Sequence, residues 1–162
     1  MKTYVLTLAK VFPKNHIKSG MQTNFRSKFF YGIERGYNYA DWEIEKYKKI
    51  HTIRANYELW RKRFEEIAAG RAILSVRQWS GKPYQSPQIP IWNFDNTDGI
   101  GLQRLKIAGI TTHHPIYIDG HSVNSKELAN NDGLEESDWH AWFKGYDLTE
   151  PMAVIHFTSF RY

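Results

Sequence analysis

The sequence predicts an α+β domain, a small β-barrel carrying two or three short helices. Three observations predict it. Short apolar stretches recur along the chain between clear turn signals. Residues 57–69 carry an apolar stripe at helical spacing, and a shorter one lies near 139–145. Finally, 162 residues, 41% of them hydrophobic, are enough to bury one core without cross-links.

Each element follows from local chemistry. Tyr4, Leu6 and Leu8 alternate with Val5, Thr7 and Ala9, which gives a first strand over 3–12 that Pro13 stops. Residues 14–48 form an aromatic-rich insert, with Phe25, Phe29, Phe30, Tyr31, Tyr37, Tyr39, Trp42 and Tyr47 scattered among Lys and Arg. They lack a clean period and admit either a short helix near 20–31 or an ordered loop. Asn56 then caps the clearest helix, 57–69. Trp60, Phe64, Ile67 and Ala68 form its apolar stripe, Glu58, Arg61, Lys62, Glu65 and Glu66 its wet face, and Gly70 its stop.

A strand at 72–79 points Ala72, Leu74 and Val76 one way and Ser75, Arg77 and Trp79 the other. Turns at 80–83 and 95–99 flank a strand at 88–94. Further strands fall at 100–108, 115–118 and 153–160. Trp139, Trp142 and Phe143 share one face of a short helix that ends at Gly145. With Trp60 and Phe64 they read as core. No repeat, low-complexity tract or linker interrupts the chain, so 1–162 reads as one domain.

Composition excludes several classes of function. With no cysteine there is no disulfide scaffold, thiolate-bound metal or thiol catalysis. No apolar run approaches the roughly 18–20 residues of a membrane span. The first residues turn polar too soon for a signal peptide, so a cytoplasmic protein without a membrane partner is expected. Charge is polarised: residues 1–82 hold 17 Lys/Arg against 7 Asp/Glu, and residues 83–162 hold 5 against 10. A basic half suggests an anionic partner, nucleic acid being the commonest. His113, His114, Asp119 and His121 lack a recognised ligand spacing, so neither a metal site nor a cofactor is expected. No phosphate-cradling or dinucleotide-binding glycine motif is present.

Two groups of residues carry chemistry. Lys49, Thr52 and Arg54 stand at i, i+3 and i+5 directly before the main helix. In a regular strand Lys49 and Thr52 face opposite sides, so they share a site only if the backbone turns between them. Arg77 and Trp79, with Lys82 and Tyr84 in the following turn, interleave basic and aromatic side chains. That pattern suits phosphate contact with base stacking. The bland alternatives are a solvated loop for the first group and Arg77 covering a packed Trp79 for the second.

The K-x-x-T-x-R run at 49–54, followed by Gly70 and an apolar strand, resembles the signature of the ASCH domains of the PUA-like superfamily. The stretch 129–139 resembles the family's acidic residue, glycine and apolar residue before a short helix. Val154 to Phe157 resembles its closing strand. The resemblance implies a PUA-like barrel with an RNA or modified-nucleoside site. Some bacterial members are amidohydrolases that remove acetyl from N4-acetylcytidine with a Lys, a Thr and a Glu. Carried over, Lys49 is the general base, Thr52 the nucleophile and Asp132 the proton donor, one methylene shorter than the family's Glu. Arg54, Arg77, Trp79, Lys82 and Tyr84 would bind the nucleic acid or nucleoside. On this reading Lys49→Ala and Thr52→Ala remove activity and leave the fold intact. Two alternatives are a non-catalytic nucleic-acid-binding module and a protein-interaction domain with an aromatic surface.

Overall fold

The computed structural model describes residues 1–34, 47–108 and 115–162. The described elements, in chain order, are β1 (Lys2–Leu8), α1 (Phe25–Ile33), β2 (His51–Arg54), α2 (Tyr57–Ala68), β3 (Ala72–Trp79) and β4 (Gln88–Phe94). They continue with β5 (Gly101–Ile107), β6 (Ile116–Ile118), β7 (His121–Val123), α3 (Ser125–Asn131), α4 (Glu136–Phe143) and β8 (Met152–His156). The α+β class is therefore observed, with four helices where the sequence suggests two or three.

The described strands form two sheets, and among the described residues neither closes into a barrel. The smaller has the order β1-β3-β4, with β1 parallel to β3. The larger, β2-β8-β5-β6-β7, is antiparallel throughout. Every residue of β8 is buried, which is why its sequence shows no polar alternation. Phe94 of the smaller sheet stacks on Phe157 just beyond β8, with ring centroids 6.0 Å apart. Phe29 of α1 meets the Phe157 ring edge-on at 4.9 Å. These three rings join the sheets and α1 into one core.

Boundaries differ where a local interaction outweighs alternation. The first strand ends at Leu8, not residue 12. Beyond it the chain folds back, with Phe12 N donating to Met21 O at 2.9 Å and Thr23 N to Lys10 O at 3.1 Å. The last strand covers 152–156, because Thr158 Oγ1 draws Phe160 N into a turn at 3.2 Å. In the insert a helix forms at 25–33. Tyr37, Tyr39, Trp42, His113 and His114 lie outside the described residues. Trp60, Trp139 and Phe143 are buried, and Phe64 and Trp142 pack against the same core. Among the described residues no helix is long and apolar enough to cross a membrane.

Candidate functional site

Lys49 lies just before β2, fixed by main-chain contacts on both sides. Its N–H donates to Lys28 O at 3.0 Å, and it forms an isolated antiparallel bridge with Asp132. Gly32 of α1 lies so close that a Cβ there would collide with the Lys49 carbonyl. Asp132 closes α3, its N–H donating to Leu128 O at 3.1 Å. Gly133 follows at φ +79°, and a Cβ there would come within 3.2 Å of Lys49 Cβ. The Asp-Gly pair therefore lets the helix end in a left-handed turn while the Lys49 stem passes over it.

The two side chains meet across 83 positions of sequence. Lys49 Nζ donates to Asp132 Oδ1 at 2.6 Å and to Asp132 O at 2.8 Å, and lies 4.0 Å from the Phe25 ring centroid. An ammonium has three donors, so all three directions are engaged. Lys49 is 1% exposed and Asp132 3%. Burial lowers the Lys49 amine to about 8, against the pull of Asp132 that holds its proton on. Burial likewise raises the Asp132 carboxyl, while Lys49 and then Arg54 act to lower it. The Trp139 indole also favours the carboxylate, although its N–H does not meet hydrogen-bond geometry.

Thr52 is buried in β2, and its hydroxyl accepts from Arg54 at 3.0 Å rather than from Lys49. Arg54 is half-buried. It donates to Ile53 O at 2.9 Å and also to Thr7 O, which ties the edge of the larger sheet to the edge of the smaller. Asp132 and Tyr146 are both near enough to act on its charge. Lys49 and Asp132 are thus brought into contact, whereas Thr52 bonds to Arg54, whose charge acts on Asp132 through space. Beside them a recess of about 180 Å³ opens over Gly133 and Lys28, with Phe12, Thr23 and Asp138 among its walls.

The second group comes from β3 of the smaller sheet and the turn after it, with Arg77 and Trp79 partly buried. Thr7 pairs with Arg77 in register, so Arg77 is one strand, ~4.8 Å, from the edge that Arg54 clasps. Arg77 lies back along β3, donating to Ser75 Oγ at 3.0 Å and Gln88 Oε1 at 3.4 Å. Trp79 is partly buried and meets the Tyr84 ring, centroids 5.1 Å apart. Tyr84 has φ 62° and is 89% exposed. Lys82 is exposed in the same turn, and Lys10 Nζ reaches Ser80 O at 2.9 Å. Asp119, weighed above as a metal ligand, instead accepts from Arg104 N at 2.9 Å, and His121 is exposed in β7.

Sequence reasoning missed Phe25 and Lys28, which face Lys49 from α1, and His51, Asn131 and Tyr162, which surround Asp132. Two of them carried a signal, since His51 lies inside the 49–54 run and Asn131 inside the 129–139 stretch.

The lowered Lys49 amine has a measurable consequence. An unfolded lysine holds its proton to about 10.5, whereas folded Lys49 releases it near 8. Between those values the unfolded chain binds more protons, so this group's contribution to stability rises with pH across that window. Urea unfolding at pH 8 and pH 10, with Lys49→Met as reference, reads the difference. The wild type gains stability relative to the variant; an equal response in both would refute the shift.

Comparison with protein-family models, with curated proteins and with solved structures finds no match in any of the three.

Proposed function

We propose that this domain binds RNA or a modified nucleoside, in the manner implied by its resemblance to the ASCH domains. The observation that carries this is the Trp79–Tyr84 pair. A tyrosine 89% exposed buries little of its own surface although its ring meets Trp79, and its positive-φ backbone is costly for a residue with a side chain. Its ring and that of Trp79 offer stacking faces beside Lys10, Arg77 and Lys82. Bases stack on such rings while lysines and arginines meet phosphates, the single-strand mode of recognition. The PUA-like affiliation itself belongs to this proposal.

Fluorescence anisotropy with a labelled single-stranded oligoribonucleotide tests it. Trp79→Ala weakens binding by about 5- to 150-fold, the ~1–3 kcal/mol of one stacked base. Affinity falls as salt rises, and Lys82→Ala flattens that slope by about one charge. Binding that ignores both salt and the Trp79 substitution would overturn the reading and favour an apolar protein contact at this face.

The directions of the two buried pKa shifts favour a second reading, metal-independent hydrolysis of an N-acyl cytidine such as N4-acetylcytidine. A general base needs a lysine brought down toward neutrality, and a proton donor needs a carboxyl brought up. That reaction starts from the neutral form of the pair, the Lys49 proton having passed to Asp132: Thr52 Oγ bonds the acyl carbon as Lys49 takes the hydroxyl proton. The C–N bond breaks as Asp132 protonates the departing amine nitrogen, and water then frees the acid from Thr52. Catalytic hydrogen bonds often tighten only with substrate bound, so Thr52 resting on Arg54 is compatible with that step.

A further inference from the structure

A second polar cluster abuts the Lys49–Asp132 pair. His51 is fully buried, and its Nε2 lies 2.7 Å from the Tyr162 phenol oxygen. Asn131 Nδ2 donates to the same oxygen at 3.0 Å. A phenol has one proton. With Asn131 supplying a donor, the arrangement that also places the phenol's own proton on a partner sends it to His51 Nε2 and leaves that nitrogen bare. Burial keeps the ring neutral, well below its ordinary 6.5, so its one proton sits on Nδ1. Independently, Nδ1 lies 3.9 Å from Asp132 Oδ1, near the residue's own main chain, and makes no hydrogen bond to another of the described residues. A lone pair aimed at a carboxylate is repelled, and an N–H is attracted.

His156 stands against His51, ring centroids 5.5 Å apart, and is wired the opposite way. Its Nε2 lies 2.9 Å from Gln103 Oε1, an oxygen that also accepts from Tyr162 N at 2.9 Å. A carboxamide oxygen only accepts, so His156 carries its proton on Nε2. Gln103 Nε2 closes the ring of contacts by donating to Tyr162 O at 3.3 Å. Both main-chain groups of Tyr162 are therefore clamped by Gln103, and that clamp holds the phenol over His51.

We propose that Tyr162 and His51 are positioning residues for Asp132: a one-way relay from Asn131 through the Tyr162 phenol holds His51 as its Nδ1–H tautomer, with that N–H aimed at the carboxylate that pairs with Lys49. Calling it part of a functional site rests on reading Lys49 and Asp132 as the site's centre; the tautomers do not depend on that reading. By drawing charge from Oδ1, the relay moderates the carboxylate's hold on the Lys49 proton. The phenol, the imidazole and the carboxylate then act as one unit behind the amine.

The test uses the full chain labelled with ¹⁵N-histidine and ¹⁵N-lysine. Long-range ¹H–¹⁵N spectra at pH 7 distinguish the two neutral tautomers, and His51→Gln and His156→Gln assign the signals. His51 shows Nδ1–H and His156 shows Nε2–H. Tyr162→Phe keeps the ring and removes only the relay's proton. In that variant His51 loses its single tautomer while His156 keeps its own, and the Lys49 amine titrates at higher pH than in the wild type. An Nε2–H signal for wild-type His51 would sink the proposal. So would a Tyr162→Phe protein that melts earlier yet leaves the His51 tautomer and the Lys49 titration untouched, because that is a packing role alone. Neither readout needs a substrate, so absent hydrolysis would refute the second functional reading and leave this one standing.

Discussion

Lys49→Ala is expected to lower the free energy of unfolding by about 3–5 kcal/mol, the cost of leaving one member of a buried ion pair without the other. A solvated lysine would cost no more than ~0.5 kcal/mol, and the sequence alone suggests such a residue. The difference lies in what remains after truncation. Asp132, 3% exposed, loses the lysine paired with it, its main-chain carbonyl loses a donor, and Phe25 loses the nearer of two lysines over its ring. Arg54, the Trp139 indole and the more distant His51 Nδ1 still favour the charge, and none replaces a 2.6 Å contact. Equilibrium urea unfolding measures the loss. Asp132→Asn, which keeps the shape but strands the ammonium, should cost a similar amount. Removing the charge from both at once, as Lys49→Met with Asp132→Asn, should cost less than the two singles together. A Lys49→Ala protein as stable as the wild type would mean that the pair is not buried in solution.

The stability role explains why part of the site was legible and part was not. An Asp-Gly step before a short helix, and a lysine before a β-branched run, are local patterns. Each follows from turn and strand chemistry that sequence displays directly. The meeting of Lys49 with Asp132 was implied only by family resemblance, since nothing local pairs positions 83 apart. The β2 strand was hidden because three of its four residues are buried and it lacks the polar alternation that marks a half-exposed strand. Strand β3 was read correctly, faces included, because Ala72, Leu74 and Val76 are buried while Arg77 and Trp79 are only partly so. Two separate sheets replace the expected barrel because closure depends on which edges pair. Here a side chain, Arg54, spans the edges of β1 and β2 where a ladder would be needed. The His51–Tyr162 contact joins residues 111 apart, and no periodicity anticipates it.

Because Lys49 holds the fold, its removal cannot isolate a role in chemistry, and Thr52 becomes the informative position. If the domain is an amidohydrolase, the wild type releases acetate from N4-acetylcytidine without added metal and equally well in chelator. Thr52→Ala then lowers the rate by about 10³-fold or more, the scale on which nucleophile loss is felt. Its cost in stability is small by comparison. The hydroxyl accepts a single bond from Arg54, which keeps its contacts to Ile53 O and Thr7 O, so a loss of about 1–2 kcal/mol is expected. Thr52→Val fills the same volume without the oxygen and should be equally inactive, while Thr52→Ser should retain measurable turnover. Asp132→Glu restores the carboxylate that the family resemblance implies, yet the structure argues against a gain. An extra methylene must fit between a 2.6 Å lysine contact and buried Trp139, and overpacking of that kind costs about 1–3 kcal/mol. Lower stability and lower turnover are therefore expected together. If wild-type protein turns over no acylated nucleoside while still binding RNA with the salt dependence above, Lys49 and Asp132 are a buried strut, and recognition belongs to the Trp79–Tyr84 face.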